Sequence, residues 1–131
     1  MSKALIIMAH GSRNAEANQE FEALVERIRS AEDRSGENGF GQVHAAFLEL
    51  AEPTLREAAE RAVKAGAEEL VVYPLFFNRG RHVRSDIPAL VEQVREAFPQ
   101  CRVELLDYFG TAEELAPTVR QHIDRQRSTN S

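Results

Sequence analysis

The chain holds a single cysteine, Cys101, and no tryptophan in 131 residues. One cysteine excludes an internal disulfide framework and any CxxC zinc or redox site. On an expected strand it reads as a small buried hydrophobe. Long apolar runs are also absent. The run from Leu5 to Ala9 is too short for a membrane helix or for the apolar part of a secretory leader, so a cytoplasmic protein with no membrane partner is expected. Basic residues are the minority, 16 against 21 acidic, for a net charge of −5. That balance argues against non-specific nucleic-acid binding, which needs a basic surface to displace counterions.

What is present is ordinary for a globular chain: 43% apolar and 28% charged residues. That composition can bury a core without a cross-link or a structural metal. The length fits one domain over residues 1–131.

The apolar period switches between strand and helix along the chain. Ala4 to Ala9 is a continuous apolar run ending at His10-Gly11-Ser12, as expected of a strand buried on both faces. Ala17, Phe21, Leu24, Val25 and Ile28 then recur at helical spacing, with Ser12 as a possible cap. Glu32 to Gln42 reads as a long glycine-containing loop and Val43 to Leu48 as the second strand. Pro53 suits the first turn of a second helix, whose stripe runs from Leu55 to Val63 and which Gly66 stops. Leu70 to Tyr73 is the third strand, and Pro74 to Arg84 a loop. Ser85 or Asp86 then caps a third helix, with Pro88 in its first turn. Arg102 to Leu106 is the fourth strand. Thr111 to Glu114 has the capping-box pattern for a last helix, whose apolar face is Leu115, Val119 and Ile123, and a frayed tail is expected from Arg125.

This alternation predicts an α/β fold: a three-layer, parallel four-stranded sheet in the flavodoxin-like order 2-1-3-4, with helices on both faces. Strands one and three then flank the topological switch point, where ligands bind beyond the strands' carboxyl ends. Two loops are singled out, His10–Arg13 and Leu75–Arg84.

His10 falls at the carboxyl edge rather than in the core. Two phosphate readings of its turn fail. A histidine phosphatase has arginine immediately before the His-Gly pair, where this chain has Ala9, and the nearest approach to GxGxxG, Gly39 to His44, lacks the third glycine and leads into a strand. In the second loop, Arg79, Arg81 and Arg84 surround His82, and Phe76-Phe77 precede them. Such guanidinium groups match carboxylates or phosphates. Glu49 ends the second strand, within reach of the cleft that holds His10. His44 and His122 read as packed or surface residues. Two histidines and a carboxylate are too few for a closed structural zinc site. They suit a site that holds a divalent metal, gives it up, and accepts protons near neutral pH.

At these residues the sequence resembles the small, half-size class II chelatases, the sirohydrochlorin cobaltochelatases and their iron-inserting relatives. The resemblance rests on Ala9-His10-Gly11-Ser12-Arg13, on Phe47 through Pro53, and on Pro74 through Pro88 with Gly80, His82 and Asp86-Ile87-Pro88 in register. It implies a chelatase-like α/β half and ATP-independent insertion of a divalent metal (cobalt first, with iron or nickel possible) into sirohydrochlorin or a similar tetrapyrrole. No permanent cofactor is implied, because the metal is a substrate. By position His10 and His82 match the two active-site histidines, catalytic and metal-holding, and Glu49 matches an acidic metal-site position. Arg13, Arg79, Arg81 and Arg84 would receive the substrate's carboxylates, and Phe76 or Phe77 would pack on the macrocycle. A half-size chain would supply the second wall of the cleft from a second copy, as a homodimer. The alternative is a non-catalytic cytoplasmic carrier of metal or tetrapyrrole on the same fold.

Overall fold

Strands and helices alternate in the computed structural model, which describes residues 2–31, 39–78 and 80–129, with the backbone alone at 81–83. The strands are β1 (Lys3–Ala9), β2 (Gln42–Phe47), β3 (Glu69–Pro74) and β4 (Arg102–Leu105), and the helices are α1 (Ala15–Ala31), α2 (Leu55–Lys64), α3 (Arg81–Ala97) and α4 (Leu115–Thr129). All pairings are parallel, in the order β2-β1-β3-β4. Leu5 stands between Val43 and Val71, and Ile7 between Ala45 and Tyr73. Each parallel neighbour requires a crossover, and the helices supply them. The expected architecture and strand order are those observed.

The sheet's two faces carry different cores. Ile6, Met8, Leu70 and Val72 pack with Leu55, Ala58, Ala59 and Ala62 of α2 and with Ile87, Val91 and Val94 of α3. The alanine-rich face of α2 lets it sit close to the sheet. On the other face Ile7 and Val43 meet Val25 of α1, joined by the partly buried Leu5, Phe21, Ile28, Tyr73 and Leu75. Burial, and then the Glu114 carboxylate, push the Tyr73 phenol above its ordinary range. At the β2 edge the Arg29 side chain reaches from α1 over the sheet: its Nε–H donates to the Val43 carbonyl at 3.0 Å, and its Nη1 pairs with Glu26.

Several helix boundaries differ from those the sequence suggests. The Asn14 side chain, not Ser12, accepts from the Glu16 amide at the start of α1. Ser12 instead accepts from the Asn14 amide in a short local turn. Pro53 precedes α2 rather than opening it. Thr54 is the N-cap and forms a reciprocal capping box with Glu57. Gly66, at a φ of 102°, closes that helix as expected. The largest shift is in α3, which starts at Arg81 behind an extended Gly80, so Arg81 to Arg84 form its first turn and Pro88 lies inside it. Pro88 has no N–H for the Arg84 carbonyl, one turn earlier. Thr111 caps nothing: its hydroxyl donates to the Tyr108 carbonyl in a 3-10 turn, Phe109–Thr111, and α4 begins at Leu115. The tail expected to fray is helical to Thr129. Cys101 lies just ahead of β4, half-buried, with its thiol directed to the Ala67 carbonyl at 3.5 Å. Most of the expected 32–42 loop falls outside the described residues.

Helix α4 is unlike the others. None of its residues is buried, and Val119 and Ile123 are 48% and 45% exposed. The apolar face expected from the sequence exists, with Leu115 half-buried and Val119 and Ile123 exposed.

Candidate functional site

The carboxyl ends of β1 and β2 continue as paired backbone beyond the strands. The Leu48 amide donates to the Ala9 carbonyl at 2.8 Å, and the Glu49 amide to the His10 carbonyl at 3.1 Å. This extra rung sets His10 beside Glu49. Their side chains meet with His10 Nε2 3.4 Å from Glu49 Oε1, and they are 54% and 55% exposed. Both flanking residues carry left-handed backbone, Gly11 at a φ of 98° and Leu50 at 67°. The chain therefore turns sharply after each of these two side chains and leaves both at an open mouth.

The turn after β1 is tied down by a residue that the sequence reading did not single out. Asn18 of α1 accepts from the Ser12 amide at 3.0 Å and donates to the Ser12 carbonyl at 2.8 Å. The signal was present as a polar residue one turn inside an otherwise apolar-striped helix. On the other side Leu75 continues the β1–β3 pairing through the Met8 carbonyl at 2.8 Å. The loop then carries Phe76 and Phe77 in opposite directions. Phe76 is 7% exposed and meets the His10 ring edge-on at 5.9 Å. Phe77 is 68% exposed and tilts against Phe109 at 5.7 Å. The Gly110 amide closes the arrangement by donating to the Phe76 carbonyl at 2.8 Å.

Phe76, expected from the sequence to pack on a macrocycle, is instead buried against the edge of His10, and Phe77 is the exposed ring of the pair. Arg13 is exposed in the turn ahead of α1, and Arg84 is exposed in the first turn of α3. Arg84 also lines a cavity of about 110 Å³ with Pro74, Ile87, Pro88, Leu105 and Tyr108. Arg81 and His82 occupy the first two positions of α3 by backbone, at the carboxyl end of the sheet. Their side chains, and Arg79, lie outside the described residues. His44 is remote from the mouth. Its Nε2 is 2.7 Å from Gln42 Oε1, while the Gln42 amide group donates to the Ala62 carbonyl at 3.2 Å, which makes the imidazole the donor. Burial, then the Arg29 and Arg61 charges, hold His44 below its ordinary pKa. His122 is exposed on α4.

The His10–Glu49 spacing suits two donors to one cation. Ligands about 2.1 Å from a tetrahedral ion stand about 3.4 Å apart, and the observed separation is 3.4 Å. Among the described residues no third histidine, cysteine or carboxylate joins them in a metal-holding group. Two donors leave most of a coordination shell open to water or to an incoming nitrogen ligand.

Comparison with known proteins finds one family. The family model CbiX matches residues 4–126. The sirohydrochlorin cobaltochelatase of Methanopyrus kandleri is 34% identical over 88 residues, covering 67% of this chain and 57% of that protein. A CbiX protein of Marinobacter aquaeolei, described as a putative cobalamin biosynthesis protein, superposes with a TM-score of 0.81 at 31% identity, over 97% of this chain and 98% of its own. The sirohydrochlorin chelatase SirB of Bacillus subtilis subspecies spizizenii, solved with cobalt, superposes with a TM-score of 0.81 at 29% identity, over 95% of this chain but 51% of its own. The chain spans about half the length of the curated relatives it matches first. With the sheet order, the His10 turn and a match over nearly its whole length, the chain belongs to the CbiX family.

Proposed function

We propose that this chain inserts a divalent metal ion into sirohydrochlorin, or a similar reduced tetrapyrrole, without ATP. The observation that carries the reading is the exposed His10–Glu49 pair, 3.4 Å apart, at the switch point of a four-stranded parallel sheet. Relatives named as sirohydrochlorin cobaltochelatases and ferrochelatases support the substrate class. Cobalt is the first choice, with iron or nickel as alternatives, since imidazole and carboxylate donors suit all three.

In this reading the metal is a substrate and no permanent cofactor is needed. His10 Nε2 and a Glu49 oxygen hold the ion, and His82 completes the protein's share of ligands. The macrocycle nitrogens replace water on the open side. Two pyrrole N–H protons leave as the metal enters, and His10, His82 and Glu49 accept them on the way to solvent. Arg13, Arg79, Arg81 and Arg84 receive the substrate's carboxylates, and Phe77 offers a face to the flat ring. The work is done in the cytoplasm by a homodimer, because one wall leaves a broad disc half in water.

The test is the absorption spectrum of sirohydrochlorin mixed with Co²⁺, Fe²⁺ or Ni²⁺ and catalytic amounts of protein. Insertion above the spontaneous rate over many turnovers supports the reading. A single stoichiometric change identifies a carrier and overturns it.

A further inference from the structure

His10 leaves β1 under restraint from one side. Its carbonyl accepts from the Glu49 amide at 3.1 Å, and its ring meets the edge of Phe76. The next residue is Gly11, at a φ of 98°. Glycine has no side chain to anchor the turn and the widest choice of backbone conformations. The position of His10 therefore also depends on what holds the chain beyond Gly11.

Asn18 holds it. Its Oδ1 accepts from the Ser12 amide at 3.0 Å, and its Nδ2 donates to the Ser12 carbonyl at 2.8 Å. An asparagine amide carries a donor and an acceptor in one plane, the pair needed to engage both backbone groups of one residue. Asn18 is itself fixed. Its own amide bonds to the Asn14 carbonyl at 3.3 Å, and α1 is packed on the sheet through Val25 against Ile7 and Val43. The turn is thereby referred to the core and not to a loop. Starting the helix does not require this side chain, because Asn14 already accepts from the Glu16 amide there. Asn18 is also half-buried, while residues 13–17, 19 and 20 are exposed.

We infer that Asn18 is a positioning residue for His10, fixing the far side of the Gly11 turn so that Nε2 stays 3.4 Å from Glu49 Oε1. The inference rests on the reading that His10 holds the metal. Metal–ligand distances tolerate only about 0.2 Å, so a turn free to shift beyond Gly11 costs affinity. Groups that orient a metal ligand from behind it are typically worth about 10–100-fold in metal affinity.

The test is a calorimetric titration of the full chain with Co²⁺ alone. Asn18→Leu keeps the branched shape of the side chain and removes both hydrogen bonds, and Asn18→Ala removes the bonds and the shape. Both should fold by circular dichroism, since leucine and alanine favour helix, and both should bind Co²⁺ at least roughly 10-fold more weakly than the wild type. Thr54→Ala, which loses a helix cap instead, is the control for lost stability and should keep the wild-type affinity. Wild-type affinity in Asn18→Leu would overturn the positioning role. So would an equal loss in Thr54→Ala, which would make general stability the cause, or a wild-type chain that does not bind Co²⁺. Insertion into sirohydrochlorin is assayed on the same samples. Turnover with wild-type Co²⁺ affinity in the Asn18 variants removes the positioning role and keeps the chelatase reading, while weakened Co²⁺ binding in a chain that never inserts metal does the reverse.

Discussion

Gly11 and Glu49 approach so closely that a Cβ on Gly11 would sit 1.8 Å from the Glu49 carbonyl oxygen. The backbone that carries one candidate metal ligand thus packs without clearance against the backbone that carries the other. Gly11→Ala adds that clash to a left-handed φ, which alone costs about 1–2 kcal/mol. The variant should lose more than that in chemical denaturation, and metal insertion should fall with it as Glu49 is displaced from His10.

His10→Ala and Glu49→Gln should leave the fold intact, because both side chains are more than half exposed. His10→Ala is expected to abolish most metal insertion, and Glu49→Gln to lower it roughly 10–100-fold. Turnover assays beside thermal melts separate the two effects. Near-normal turnover in His10→Ala would remove it from the reaction.

Arg81→Ala/Arg84→Ala should raise KM for the tetrapyrrole more than it lowers kcat, as when uniform binding is lost. Added salt should reproduce part of that rise, since exposed ion pairs are screened. Steady-state kinetics at two ionic strengths decide it.

Stability should rise with pH through the region just below 6.5. His44 is held below its ordinary pKa of 6.5 in the folded chain, by burial first and then by Arg29 and Arg61. Between the folded and unfolded values the unfolded chain binds more protons, so stability is lost as pH falls below about 6.5. Denaturation midpoints from pH 5 to 8 should show that slope, and His44→Gln should flatten it.

Thr54→Ala removes the hydroxyl that accepts from the Glu57 amide at the head of α2. The expected loss is about 1 kcal/mol in urea denaturation, with kcat and KM unchanged.

The sheet was legible because its apolar runs are uninterrupted and each ends in a turn signal. Ala9-His10-Gly11 placed a histidine at the carboxyl edge, and the parallel order brought Glu49 to it. The start of α3 was not legible. Gly80 caps without a side chain, while Ser85, Asp86 and Pro88 imitate a start one turn later. The division of Phe76 from Phe77 was hidden because neighbouring loop residues follow no period. The isolation of α4 was hidden for a related reason: spacing shows that a helix has an apolar face, not which body covers it.

β2 lies at an open border of the sheet, a place where a stray extended chain can add itself and seed a fibril. Its sequence, Gln42 to Phe47, has neither lysine nor proline to discourage this. Arg29 supplies the deterrent from α1 by engaging the Val43 main-chain acceptor, with Glu26 steadying its guanidinium. Farther along, the Phe47 amide donates to the Pro53 carbonyl at 2.9 Å, so this border is occupied by groups from outside the strand, which a scan of the strand's own composition would miss.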